Sequence, residues 1–227
     1  MATLPELLHA RLADVAEPER APAMQAYMKS AMPYFGIPNT PRTAVCKALF
    51  RDLAWQDAAA WQADVLEIWR GAHFREERYC AIDLTGVRAA RAFQRMDALP
   101  MYEEMIVSGA WWDYVDAIAT SRLWPILQAD KPKMKAAMLD WARGEDMWKR
   151  RSAILCQLPA KGETDRHFLM ACIKPSLGSK EFFLRKGIGW ALRHFARTDP
   201  DWVRAYVADN EAMLSPLSKR EALKHLG

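Results

Sequence analysis

Apolar residues recur at intervals of three and four along almost the whole chain, the spacing that lines one face of an α-helix. Leu4, Leu7, Leu8 and Leu12 open the pattern. After Pro18 the run to Met32 carries it through Met24, Tyr27, Met28 and Met32, and Pro33 and Gly36 close it. Thr40-Pro41 reads as a capping residue followed by proline at the first helical position, which predicts a helix to about Leu53. Trp61, Val65, Ile68 and Trp69 mark the next, closed by Gly71. Helices are also predicted from Phe74 to Leu84, from Met101 to Val107, and from Trp111 through Ile118 to about Trp124-Pro125. The same period returns over residues 134–141, 147–158, 167–173, 180–196 and 202–207, with a short element from Ser218. No stretch shows the alternation a strand requires, and no linker or low-complexity segment divides the chain. The predicted class is all-α, with residues 1–227 forming one domain.

A longer period lies over the helical one. A small residue followed by isoleucine occurs at Ala81-Ile82, Ala117-Ile118, Ala153-Ile154 and Gly187-Ile188, in steps of 36, 36 and 34 residues. Large aromatics precede these pairs by four to seven positions: Phe74, Trp111 and Trp112, Trp148, Phe182 and Phe183. Ala-Ile is a common dipeptide, so coincidence is the competing explanation. Period, helix content and length together predict an α-solenoid of helix pairs, in which each pair covers an apolar face its neighbour leaves open. Equivalent helices of such an array line one concave surface, and the offsets of Trp112, Asp116, Arg151 and Trp190 from their isoleucines place them within one broad stripe of it.

Composition permits this. The chain is 51% hydrophobic and 11% aromatic, enough for a large core, and its ten glycines are few for an all-β protein. Thirty-two basic against 28 acidic residues leave a net charge of +4, which allows a nucleic-acid partner without requiring one. Cys46, Cys80, Cys156 and Cys172 form no CxxC pair and read as buried, reduced thiols. The five histidines show neither HxxxH nor HExxH spacing, so no metal site is expected. No apolar run is long enough to span a membrane, and the N-terminus lacks the basic start and apolar run of a leader, so a cytoplasmic location is expected.

Within the pattern, Trp111-Trp112-Asp113-Tyr114-Val115-Asp116 joins two indoles to two carboxylates at the start of a helix. Residues four apart share a helix face, so Trp112 and Asp116 form an aromatic wall over an anion, suited to a flat or cationic partner. The plainer alternative makes Trp112 core and Asp116 a solvated charge. Trp55, Trp61, Trp69, Trp141 and Trp202 belong to no such constellation and read as packing.

Several segments, read in order, carry a resemblance to a known family. They are Ala26-Tyr27-Met28-Lys29, the Trp111–Asp116 stretch, residues 148–155 (WKRRSAIL), residues 179–183 (SKEFF), residues 186–190 (KGIGW) and residues 216–222 (PLSKREA). Together they make the chain similar to the DNA alkylation repair family, the AlkD-like alkylpurine DNA glycosylases built from HEAT-like repeats. The resemblance covers almost the whole chain. It implies that Trp112 lies against the deoxyribose of the damaged nucleotide, that Asp116 is the catalytic carboxylate, and that Trp190 is the second indole of the cleft. It also implies that Arg151 holds backbone phosphate near the lesion and that Tyr27 is on the DNA-facing side. One departure is Pro38 in the place of the polar residue that follows Gly-Ile in the family; Asn39 is next and is the candidate for that contact to DNA. Arg42 and Lys180, at predicted helix starts, are further phosphate candidates, with a solvated surface charge the equal alternative. The implied partner is double-stranded DNA containing alkylated purines, with no cofactor, and a monomer is expected.

These residues suit that chemistry. A purine alkylated at a ring nitrogen is cationic and departs neutral, so its loss requires no general acid. The sugar then develops oxocarbenium character, which a fixed carboxylate stabilises while orienting or deprotonating water, and which indole faces favour through their quadrupole. Alternatives stay open on the sequence alone. Asp113 rather than Asp116 can be the working acid, or one of them a cap; Arg151 can pair with Asp116; Trp112 and Trp190 can be packing. The competing function is a non-catalytic helical-repeat scaffold that binds nucleic acid or protein through the same groove.

Overall fold

Short polar caps set where the helices begin. In the computed structural model, which describes residues 2–226, Thr3 and Glu6 cap each other's backbone at the start of α1 (Leu4–Ala13). α2 (Ala21–Met28) and α3 (Asn39–Leu49) follow, and Asp57 caps α4 (Ala58–Gly71) before α5 (Arg75–Leu84). 3-10 turns over Arg88–Phe93 and Met96–Ala98 lead to α6 (Leu99–Gly109). The chain continues through α7 (Trp112–Ser121), α8 (Leu123–Ala129), α9 (Lys131–Arg143) and α10 (Met147–Leu155). A 3-10 turn over Leu158–Glu163 precedes α11 (Arg166–Ile173), α12 (Phe182–Phe195), α13 (Pro200–Asp209) and α14 (Pro216–Leu223). Asp130, Asp146, Asp165, Asp199 and Ser215 each accept a backbone N–H at the start of α9, α10, α11, α13 and α14, satisfying donors that a helix start leaves free. No strand occurs among the described residues, and the all-α expectation holds.

The helix ends differ from expectation for local reasons. The helix from Trp111 stops at Ser121, and α8 starts afresh at Leu123. Pro125 lacks the N–H that would bond the carbonyl of Ser121, so the ladder cannot pass it. Pro159 does the same to Leu155, where α10 ends short of Leu158. α2 ends at Met28 rather than Met32 because Lys29 turns into the left-handed region at φ 49°. α3 starts at Asn39, with Pro38 rather than Thr40 as its cap, and ends at Leu49.

The described residues fall into two units, the first running to Met101 and the second starting at Tyr102. In the first, α1 packs on α3 and α4, and α5 on α3 and α4. Trp61 and Trp69 are wholly buried there, as their reading as packing required. In the second, α7 packs on α10, α10 on α12 and α12 on α14, while α9 and α11 form a further row behind α10. Ile118, Ile154 and Ile188, the marked isoleucines of α7, α10 and α12, are all buried. The steps of 36 and 34 residues between them are thus the steps from one packed helix to the next in this unit. All four cysteines are buried free thiols.

α12 approaches α14 closely at Gly189, where a Cβ would lie 2.5 Å from Glu221 Cβ and 2.9 Å from the Ser218 carbonyl oxygen. Glu221 also bonds Lys186 Nζ and Arg193 Nη1 at 2.7 Å each, which ties the two helices together. Gly189→Ala is expected to destabilise the fold by about 1–3 kcal/mol through overpacking, against a helix-propensity gain of about 1 kcal/mol. Urea unfolding of the two proteins measures the difference.

Candidate active site

The site begins with a division of labour between two adjacent indoles. Ala110, at φ 41°, turns the chain out of α6, and Trp111 stands extended before the first turn of α7. Trp111 turns inward, with its ring centroid 5.5 Å from that of Phe183 and 6.3 Å from that of Trp148. Trp148 and Phe183 are themselves 4.9 Å apart. The aromatics that precede the isoleucines in sequence therefore meet across three helices. Trp112, one residue on, is half-buried like Trp111 at the start of α7, and Asp116 is one turn further along the same face.

Asp116 is the meeting point of α7 and α10. Its Oδ1 and Oδ2 accept from Arg151 Nε and Nη2, each at 2.7 Å, a two-pronged charge-assisted pair. The side chains are 14% and 4% exposed, respectively. The remaining arm of Arg151, Nη1, donates to the Phe183 carbonyl on α12, and its guanidinium centre lies 6.0 Å from the Phe183 ring centroid. Gly187 on α12 permits this approach, since a Cβ there would lie 3.1 Å from Arg151 Nη1. Three residues beyond Gly187, on a neighbouring strip of α12, Trp190 is half-buried.

Burial pushes the Asp116 carboxyl above the ordinary aspartate range; the Arg151 hydrogen bonds and charge oppose the rise, and the nearby Asp113 charge adds to it. Asp113 occupies the first turn of α7, where the positive end of the helix dipole favours an anion. Asp116 is in the second turn, sheltered from water and held by a cation. The two acids of the Trp111–Asp116 stretch thus occupy different environments.

The remaining expected residues are distributed as follows. Lys180 is exposed just before α12, in the second unit with Trp112, Asp116, Arg151 and Trp190. Tyr27, Asn39 and Arg42 belong to the first unit. Tyr27 on α2 is 76% exposed. Asn39 is exposed at the first position of α3. Arg42, expected at the surface near a helix start, is instead buried. It pairs with Asp83, faces the Tyr79 ring at 5.3 Å, and donates from Nη2 to Asn39 Oδ1 at 2.8 Å. Arg151, expected to meet phosphate, is buried on Asp116.

One residue of consequence was missed. Glu76 on α5 is wholly buried and accepts the backbone N–H groups of Phe35, Gly36 and Ile37 at 3.0–3.1 Å. It fixes the segment that delivers Asn39. Its burial raises its carboxyl above the usual range, opposed by those three bonds. Gly36 is the sequence signal for this clamp: it sits at φ 85°, and a Cβ there would fall 2.0 Å from the Glu17 carbonyl oxygen. Among the described residues no group of three His, Cys, Asp or Glu side chains is placed to hold a metal ion, and no helix is long and apolar enough to cross a membrane.

Comparison with known proteins adds a family to this geometry. A family model described as "DNA alkylation repair enzyme" matches residues 8–226. A solved structure titled as a predicted DNA alkylation repair enzyme from Enterococcus faecalis superposes with a TM-score of 0.84 at 29% identity, covering 93% of this chain and 97% of that one. No curated protein matches.

Proposed function

The chain belongs to the DNA alkylation repair enzyme family, and we propose that it is a DNA glycosylase that hydrolyses the N-glycosidic bond of cationic alkylated purines. The observation that carries this reading is Asp116, a buried carboxylate gripped on both oxygens by Arg151 and one helical turn from the half-buried Trp112. Each carboxylate oxygen keeps a further lone pair beyond the one it gives to Arg151. A fixed anion with free acceptor capacity suits an oxocarbenium-like sugar and a water molecule, and it costs no reorganisation as charge develops. Trp112 and Trp190 are assigned to the walls of the cleft, where indole faces favour the same positive charge. The product is an abasic site and a free base.

DNA is the substrate, and Lys180, Tyr27 and Asn39, all exposed, are its proposed contacts outside the cleft. Arg42 serves DNA indirectly, through its bond to Asn39. The family model runs through both units, which supports treating residues 1–227 as one repair domain; we take it to act as a monomer in the cytoplasm. Affinity is expected to fall steeply with salt, because phosphate contacts release counterions. Lys180→Ala should lower the slope of log K against log salt by about one. An unchanged slope in a titration of undamaged duplex removes Lys180 from the interface.

The reading is tested by incubating the protein with duplex DNA treated with a methylating agent and measuring abasic sites and free base. Release well above the spontaneous rate is expected. Release at the spontaneous rate with intact DNA binding would favour the scaffold function.

A further inference from the structure

We propose that the first unit contains a binding site for a small organic ammonium ion with an apolar body, in a cavity none of whose lining residues belongs to the candidate active site. It does not rest on the glycosylase reading. The cavity has a volume of about 410 Å³ and lies between α1, the end of α4 and the start of α5. Small-molecule sites occupy about 300–1,000 Å³. Leu8 from α1 and Ile68 from α4, both buried, supply its apolar lining. At Gly71, the last residue of α4, an added Cβ would meet nothing within 4 Å, so that end of the helix is left open.

The polar groups of the cavity are mostly acceptors. Glu77 is buried and takes the backbone N–H groups of His73 and Phe74 on Oε2, at 2.7 and 2.8 Å. Its Oε1 takes the His9 Nδ1–H at 2.8 Å and keeps a further lone pair. With that proton given to Glu77, Nε2 of the neutral His9 ring is an acceptor. Among the described residues neither this nitrogen nor the His73 ring has a hydrogen-bond partner. Glu6 adds a second carboxylate, of which Oε2 accepts the Thr3 N–H and Oε1 is open. α4 ends at the cavity, and a helix carries partial negative charge at that end. No lysine or arginine lines the space. A matching ligand donates hydrogen bonds and is positive at one end, as an ammonium with its N–H donors is, and is apolar at the other. Among the described residues no three of these groups are placed to hold a metal ion, so the cation is an organic one.

The experiment titrates the full chain, without DNA, with benzylammonium, benzyl alcohol and phenylacetate, and follows the ring signals of His9 and His73 by carbon-13 NMR. Benzylammonium is expected to shift both rings saturably and to bind about tenfold more tightly than benzyl alcohol, the scale of one hydrogen bond made charge-assisted. Phenylacetate should give no saturable shift. Glu6→Gln should weaken benzylammonium several-fold and leave benzyl alcohol unchanged; glutamine still serves in the capping box with Thr3, so the start of α1 is kept. Ala72→Leu, in the lining, should abolish saturation by filling the space. Glu6→Gln keeps the result decisive if Ala72→Leu fails to fold. Shifts that do not saturate, equal binding of benzylammonium and benzyl alcohol, or binding of phenylacetate overturns the proposal. Saturation undiminished in the folded variants places the amine elsewhere and overturns it too.

Discussion

Asp116→Asn is expected to slow base release by about a hundredfold or more, the usual scale for losing one preorganised electrostatic group, with DNA binding roughly intact. Asparagine keeps the shape and removes the charge. It also turns an N–H₂ donor towards one arm of the Arg151 fork, so part of the pair is lost and some stability with it. A circular dichroism melt separates that loss from the loss of chemistry. Asp113→Asn should do much less. Asp113 is in the first turn of α7, and the fork closes on Asp116, one turn deeper. The rates are read under single-turnover conditions, so that product release does not mask the chemical step. A reversal of the two effects would move the catalytic assignment to Asp113.

The second large effect concerns the leaving group. A purine alkylated at N3 or N7 departs neutral and needs no proton from the protein. Uracil or hypoxanthine departs as an anion and needs a general acid or a pocket that stabilises it. The ionisable groups tied to Asp116 are Arg151, a cation committed to the carboxylate, and Asp113, a second acid. Asp113 accepts the Tyr114 N–H in the first turn of α7, and neither is assigned the role of proton donor to a base. The protein should therefore excise cationic alkylpurines and leave neutral lesions almost untouched, even when both duplexes bind equally well. Across cationic lesions the rate should track spontaneous depurination, because the protein adds a similar sugar-stabilising contribution to each. Matched duplexes containing 7-methylguanine, a 3-methyladenine analogue, hypoxanthine or uracil test this. Rapid release of hypoxanthine or uracil would reveal an acid or a base-reading pocket.

Much of the fold was legible because helical periodicity is a local property. Even two of the ends that missed, at Ser121 and Leu155, obey a local rule: each lies four residues before a proline. Within the second unit the longer period has a counterpart: Ile118, Ile154 and Ile188 are buried on α7, α10 and α12, which pack one on the next. The partnerships were not legible. Asp116 and Arg151 are 35 residues apart, close to one repeat, so spacing alone made them neighbours without saying whether they touch. Nothing in Trp111-Trp112 says which indole turns inward; the aromatic cluster of Trp148 and Phe183 decides it. Arg42 looked like a surface charge because Asp83, its partner, is 41 residues away on another helix. Nothing in the sequence around Glu76 marks it as buried, and only the tertiary fold wraps the backbone of Phe35, Gly36 and Ile37 around it.

The role of Asp116 is decided by single-turnover release of 7-methylguanine from a defined duplex by the parent protein and by Asp116→Asn, with free base and abasic sites counted together. Equal amounts of both products are expected, formed far faster than without protein, and a rate in Asp116→Asn reduced about a hundredfold or more. Equal rates in the two proteins, or a parent rate no higher than that of the duplex alone, would contradict it.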